Sequence, residues 1–100
     1  MNREFRVEKL TQDQVKDKLK ELPEWSDANG TIQRTYQFKN FIESMKFVEG
    51  VADLAEEMQH HPDILIRYNK VTLTLTTHDV GGISEKDFKL AKAADASVDK

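Results

Sequence analysis

The sequence predicts a single α+β domain over residues 1–100, with helices covering an antiparallel sheet. Two stretches show the alternating, turn-separated pattern of β-hairpins. Three other stretches repeat apolar residues at the three- and four-residue spacing of helices. The order is helix, two strands, helix, two strands, helix, and hairpins separated by helices are typical of the α+β class.

The first helix is predicted by its capping signals. Thr11 is expected to be the N-cap, with Gln14 three residues later completing a capping box. Val15, Leu19 and Leu22 form its apolar stripe, and the helix should end before the proline that follows. Upstream, residues 1–9 contain an alternating piece around Phe5 and Val7, which predicts an edge strand or a loose arm.

The first hairpin is predicted around Asn29-Gly30, a strong signal for a two-residue turn. That turn places Asp27 opposite Ile32 and Trp25 opposite Arg34. Alternate residues of the second strand are apolar, which indicates a sheet with one buried face. The residues of that buried face are Ile32, Tyr36 and Phe38.

A long helix is predicted over residues 41–58, capped by Asn40 with Glu43 at the third helical position. Two apolar stripes run along it side by side, one starting at Phe41 and the other at Phe47. A face this wide indicates a central helix that lies across the sheet and also contacts a second subunit.

The second hairpin is predicted to turn at Asn69-Lys70. This register packs Tyr68 beside Val71 and, continued along both strands, brings His61 opposite His78. Residues 79–83 then form a flexible loop. Ser84 caps the last helix with Asp87 at its third position, and the stripe of that helix contains Phe88, Ala91, Ala94 and Val98.

Composition excludes several classes of protein. A net charge of −3 gives no support for nucleic-acid binding, and the absence of cysteine excludes disulfide and thiolate chemistry. The amino-terminal residues lack the apolar stretch of a secretory signal, and no apolar run is long enough to cross a membrane. We therefore expect a cytoplasmic protein, with the nucleus as a second location.

All three histidines lie between Glu56 and His78. Histidine is the usual proton-transfer residue because its unperturbed pKa lies closest to neutral. Taken alone, His60 and His61 could simply be a polar helix end, and His78 one more polar strand residue. A zinc site is disfavoured because adjacent histidines on a helix point in different directions. Their convergence through the hairpin register favours a catalytic site, although residue patterns alone leave both interpretations open.

These residues resemble the signature of the pterin-4a-carbinolamine dehydratases, a family also described as dimerisation cofactors of a homeodomain transcription factor. The matching residues are Glu56, His60-His61-Pro62, Tyr68, His78 and Asp87. Trp25, the Tyr68-Asn69-Lys70-Val71 turn and Thr77-His78 also look like the family. The resemblance extends over about residues 8 to 97.

The resemblance implies a four-stranded antiparallel sheet with three helices on one side. It implies a hydro-lyase that converts 4a-hydroxytetrahydrobiopterin to quinonoid dihydrobiopterin and water, in tetrahydrobiopterin recycling, with no metal and no cofactor. It also implies a homo-oligomer, either a dimer or a tetramer. The alternative is a protein-binding transcriptional coactivator that stabilises a homeodomain factor; another pterin role is a third interpretation.

The resemblance also assigns roles to individual residues. His61 is expected to be the principal acid/base group, with His78 as its partner, while His60 binds and orients the pterin and shares in proton transfer. Glu56 would position His60 across one helical turn, and Trp25 would form an aromatic wall. Asp87 would cap its helix and support the site. The remaining residues expected to contact the pterin are Pro62, Thr77, Asp79 and Val80.

Overall fold

The computed structural model describes residues 7–98 as three helices and a four-stranded antiparallel sheet, in the predicted order. The sheet order is β1-β2-β4-β3, so the two hairpins meet along β2 and β4. The helices are α1 (Gln12–Leu19), α2 (Phe41–Met58) and α3 (Glu85–Val98); the strands are β1 (Ser26–Asp27), β2 (Ile32–Gln37), β3 (Asp63–Arg67) and β4 (Lys70–Leu75).

At the amino-terminal end, the predicted cap of α1 is confirmed. The Gln14 backbone N–H donates to Thr11 Oγ1 at 3.1 Å, and the Thr11 N–H donates to Gln14 Oε1 at 2.8 Å. This reciprocal pair satisfies two backbone donors that a helix start leaves free. Val7 lies outside regular structure, and the rest of the predicted piece around Phe5 lies outside the described residues.

The first hairpin has the predicted register, with Asp27 opposite Ile32. Asn29 and Gly30 both have positive φ, 54° and 81°. Positive φ at both turn residues defines the turn that matches the twist of paired strands, and Asn-Gly adopts it at little cost. Ala28 and Thr31 exchange backbone hydrogen bonds across the turn.

The predicted register of the second hairpin is wrong. Arg67 pairs with Lys70 and Ile66 with Val71, so the turn residues are Tyr68 and Asn69. The Asn69 side chain donates to the Phe38 carbonyl at 3.0 Å, and the Phe38 N–H donates to the Asn69 carbonyl at 2.7 Å. These bonds to the end of β2 hold Asn69 one position later in the turn than expected.

Tyr68 consequently takes the left-handed conformation, with a φ of 53°, and is exposed instead of packing beside Val71. The register error amounts to two positions. Because side chains alternate with a period of two, such an error leaves every residue on its predicted face. Val71 and Leu73 are therefore buried as expected.

The core lies between one face of the sheet and the helices. The sheet contributes fully buried residues from its two central strands, and α3 contributes a buried stripe beneath them. The opposite face is polar, and on it the hydroxyls of Thr35 and Thr72 bond at 2.7 Å. The buried sheet residues are Ile32, Tyr36, Val71, Leu73 and Leu75.

Helix α2 has the predicted bounds, and the Asn40 side chain accepts from the Glu43 N–H. Of its two predicted stripes, the one containing Phe47 and Val51 packs into the core, whereas Phe41 and Ala52 of the other are exposed. Among residues 7–98, no helix is long and apolar enough to cross a membrane.

Candidate active site

His60 is positioned by the way α2 ends. The helix stops at Met58, and Gln59 takes the left-handed conformation with a φ of 54°. The His60 N–H then donates to the Ala55 carbonyl at 3.1 Å, and the Gln59 N–H donates to the Glu56 carbonyl at 3.3 Å. This pair of bonds is the Schellman ending of a helix. It turns His60 off the surface of α2 and toward α3.

At the start of α3, the Asp87 side chain contacts His60. His60 Nε2 and Asp87 Oδ1 are 2.5 Å apart, and the Asp87 side chain is 0% exposed. Asp87 Oδ2 also accepts from Thr77 Oγ1 and from the Ser84 N–H, both at 2.9 Å. Three donors offset the cost of burying a carboxylate. The predicted capping interaction with Ser84 is present, and the same carboxylate orients His60.

His61 pairs with a different carboxylate. Its Nε2 lies 2.6 Å from Glu56 Oε2, and the two side chains are 59% and 72% exposed. Glu56 was expected to contact His60 through helical spacing. That prediction is wrong because the left-handed Gln59 interrupts the helix between them. The two adjacent histidines therefore have separate partners in opposite environments, one buried and one in solvent.

His78 starts a short 3₁₀ helix, His78–Val80, that replaces the expected flexible loop. The Thr77 N–H donates to the Gly82 carbonyl at 2.8 Å, and Gly81 closes the turn in the left-handed conformation. Strand β4 ends at Leu75 and β3 begins at Asp63, so the sheet does not pair His61 with His78. The predicted opposition within a β-ladder is wrong.

All three histidines nevertheless line one cleft of about 230 Å³, formed where α2 ends, β4 ends and α3 begins. The convergence is produced by the helix ending and the 3₁₀ turn. Of the predicted contact residues, Thr77 and Asp79 line the cleft, while Pro62 and Val80 do not. The complete lining is Gln59, His60, His61, Thr76, Thr77, His78, Asp79 and Lys86.

Comparison with protein families shows to which family the chain belongs. The model of the family described as pterin 4 alpha carbinolamine dehydratase matches residues 8–97. The chain belongs to this family.

Curated relatives and solved structures agree with the assignment to the pterin-4a-carbinolamine dehydratase family. A protein of Picosynechococcus sp. is 51% identical over 87 residues, covering 87% of this chain and 95% of that one. A protein of Thermomicrobium roseum is 58% identical over 74 residues, covering 74% of this chain and 80% of that one. Both names assign the protein provisionally as a pterin-4-alpha-carbinolamine dehydratase. A crystal structure described as a transcriptional coactivator/pterin dehydratase from Brucella melitensis has a TM-score of 0.84 and 34% identity, covering 88% of this chain and 96% of that chain.

Trp25 does not line the cleft of this family member. Its side chain is 4% exposed, its ring packs edge-on against Tyr36, and its Nε1 donates to both Asp95 oxygens at 3.1 and 3.2 Å. The predicted aromatic wall is wrong because β1, a strand of two residues, directs the preceding tryptophan into the core.

The sequence did not predict three of the residues that line the cleft: Gln59, Thr76 and Lys86. Of these three, only Lys86 has a sequence feature that could have identified it as a site residue. It is a basic residue in the first turn of α3, where the helix dipole disfavours positive charge. A residue that costs helix stability at its position is a candidate for another role. Within residues 7–98, no three His, Asp or Glu side chains are grouped so as to hold a metal ion.

Proposed function

We propose that this protein dehydrates 4a-hydroxytetrahydrobiopterin to quinonoid dihydrobiopterin, in tetrahydrobiopterin recycling. Membership of the dehydratase family and the names of its relatives support this reaction class. The observation that carries the proposal is the convergence of three histidines on one open cleft, two of them paired with carboxylates. Such a group can both donate and accept protons near neutral pH.

The reaction requires two proton transfers at neighbouring atoms. The C4a–O bond breaks as the hydroxyl takes a proton from an acid and leaves as water. N5 gives its proton to a base, and the electron pair released forms the C4a=N5 double bond. The catalyst donates one proton and receives one, so its total proton count is unchanged, and exchange with solvent restores the starting protonation of each group. No redox partner is needed.

We assign the acid role at the hydroxyl to His61. With Nε2–H donating to Glu56, Nδ1 is left to exchange a proton with the substrate. Because His61 is exposed, it can recover its proton from solvent between turnovers. His78, on the 3₁₀ turn that borders the same cleft, is assigned as the base at N5.

His60 is assigned to binding and orientation. Its contact with the fully buried Asp87 holds the ring in one position, and its small exposed surface faces the cleft. A buried, hydrogen-bonded ring loses little entropy when it contacts a ligand, so it suits recognition of the flat pterin. Thr77 and Asp79, which also line the cleft, are assigned to further pterin contacts.

The test is a stopped-flow assay of 4a-hydroxytetrahydropterin dehydration, compared with the rate without protein. The wild type is expected to accelerate the reaction. The double variant His61→Ala/His78→Ala changes two solvent-facing side chains and is expected to lose almost all acceleration. Its circular dichroism should match the wild type. No acceleration by the folded wild-type protein would refute the proposed function.

A second candidate, interaction with another protein, is favoured by the start of α2. Phe41 and Ile42 are exposed there, and exposed apolar neighbours mark interaction surfaces. We propose homo-oligomer formation through this helix face; a homeodomain transcription factor is the alternative partner. Light scattering after gel filtration tests the first: the wild type should exceed the monomer mass, and Ile42→Glu should reduce it. A monomeric wild type would contradict it.

A further inference from the structure

We propose that a second cavity beside the histidine cleft binds an anionic group at the end of a substituent on the pterin ring. Lys86 and Lys89 are the specificity-determining residues. The substrate class would be pterins whose C6 substituent carries a phosphate or a carboxylate. This inference rests on the proposed dehydratase function and deepens it.

The second cavity has a volume of about 300 Å³ and is lined by Met58, His60, Lys86 and Lys89. His60 and Lys86 line both cavities, so the two spaces adjoin along these side chains. A bicyclic ring bound in the histidine cleft with its C6 edge toward Lys86 would extend its substituent into the second cavity. The apolar Met58 side chain suits the carbon chain of such a substituent, since thioether surfaces adapt to irregular shapes.

The charges of the two cavities differ. Asp79 lines the histidine cleft, whereas the lining of the second cavity contains two ammonium groups and no carboxylate. Lys89 also borders Glu21 and Glu85 on its other side, but each of these two acids has a lysine partner of its own. Glu85 pairs with Lys18 at 2.8 Å, and Glu21 pairs with Lys92 at 3.1 Å.

Within the part of the chain that the structure describes, neither Lys86 nor Lys89 makes an ion pair. Lys86 lies in the first turn of α3, where the helix dipole disfavours an unneutralised lysine and favours an anion, and Lys89 lies about one turn further along. An anionic ligand group would satisfy the ammonium groups and the helix end together. Phosphate and carboxylate both supply suitable acceptors.

Fluorescence titration with three pterins tests the proposal on the intact chain. Neopterin and neopterin phosphate share one carbon chain and differ only in the anion. Folic acid supplies carboxylates instead. We expect the phosphate to lower the Kd about tenfold relative to neopterin, as a charge-assisted hydrogen bond would. This ratio should shrink as salt is raised. Whether neopterin phosphate or folic acid binds more tightly identifies the anion.

Substitutions of the lysines show which residues produce the preference for the phosphate. Lys89→Met is expected to reduce the phosphate preference to about twofold or less, and Lys89→Glu to reverse it by like-charge repulsion. Lys46→Met is the matched control, since it removes one exposed positive charge from α2 and lies outside both cavities. It should keep the full preference. Circular dichroism on each variant verifies folding.

The possible results distinguish failure of this inference from failure of the proposed function. Equal binding of neopterin and its phosphate by the wild type would overturn this inference and leave the dehydratase proposal standing. Survival of the phosphate preference in the folded Lys86→Met/Lys89→Met double variant would also overturn the inference alone. If none of the three pterins binds, this inference fails, and the stopped-flow dehydration assay then decides whether the proposed function fails with it.

Discussion

Helix α3 presents two buried or half-buried carboxylates about two turns apart, and they serve different regions. Near the amino-terminal end, Asp87 accepts hydrogen bonds from His60, Thr77 and the Ser84 backbone. Near the carboxyl-terminal end, Asp95 accepts from the side chains of Trp25, Arg34 and Tyr36. Asp95 connects the helix to the rest of the core through three donors, whereas Asp87 does so through two and caps its own helix with the third.

The two clusters differ in what the donors can do. His60 lines an open cleft and is a titratable group. Around Asp95, the Arg34 guanidinium lies over the Tyr36 ring at 4.1 Å, and burial, followed by the hydrogen bond to Asp95, strongly raises the pKa of the Tyr36 hydroxyl. The Tyr36 hydroxyl therefore keeps its proton to higher pH than a free tyrosine does. Under the proposed function, a carboxylate with three donors orients a site residue at one end of the helix and contributes to packing at the other.

The largest expected effect is on catalysis at the cleft. His61→Ala should lower kcat/KM by about a thousandfold, because general acid catalysis typically contributes 10²–10⁴. The fold should survive, since the His61–Glu56 pair is exposed and such pairs add little stability. Steady-state assays with circular dichroism check both. Near-normal turnover by the folded variant would end the assignment of His61.

The two carboxylates can be compared directly by Asp87→Asn and Asp95→Asn. Each is expected to lower the free energy of unfolding by roughly 2–3 kcal/mol, since hydrogen bonds to a charged group are lost. Urea titration measures this loss.

Only Asp87→Asn should also reduce kcat, by about 10–100-fold, as for partners that orient a functional histidine. Asp95→Asn should keep wild-type kcat while folded. A comparable loss of kcat in both variants would show that the Asp95 cluster also affects catalysis. Trp25, which donates to Asp95, would then again be a candidate site residue.

Glu56→Ala should cause a milder loss, about tenfold in kcat/KM, because it removes the partner of His61 but keeps the imidazole. Glu57→Ala is the matched control, because it removes the adjacent exposed carboxylate, for which the structure gives no contact with a histidine. The pair of variants separates loss of charge from loss of contact. Abolished activity in Glu56→Ala would make this residue essential, not supporting.

The smallest effect is expected at the Asp95 cluster in alkaline solution. The raised pKa of Tyr36 means that above about pH 10 the unfolded state loses a proton that the folded state keeps. Stability from this group is therefore complete below pH 10 and declines above it, by at most about 1.4 kcal/mol per pH unit. Tyr36→Phe should reduce this decline.

Tyr68→Phe is the control for that measurement, since Tyr68 is exposed in a turn. Thermal unfolding between pH 8 and 11 records the difference between the two variants and the wild type. Identical pH profiles for wild type and Tyr36→Phe would show that the hydroxyl does not contribute.

Much of the fold was predictable because its signals are local. The caps at Thr11 and Asn40 depend on a residue three positions later, and the Asn29-Gly30 turn depends on the φ preference of its own two residues. The buried faces of the strands follow from alternation alone. These features need no knowledge of what packs against them.

The sequence predicted which histidines form the candidate site, but it did not predict how they are arranged. The sequence showed three histidines close to one another along the chain, and the structure assembles them by a different route from the predicted β-ladder. Gln59 could not be foreseen in a left-handed conformation, because glutamine carries no special preference for it. That one residue separated His60 from Glu56 and joined it to Asp87.

The sequence by itself determined the order of the elements, their caps and which residues face the core, since each follows from neighbours within a few positions. Tertiary structure alone decided the partner of each histidine, the register of the second hairpin and the burial of Trp25. These depend on contacts between distant segments: His60 with Asp87, Asn69 with Phe38, and Trp25 with Asp95. Contacts of that kind form only when helix, turn and strand are packed together, so local preference cannot specify them.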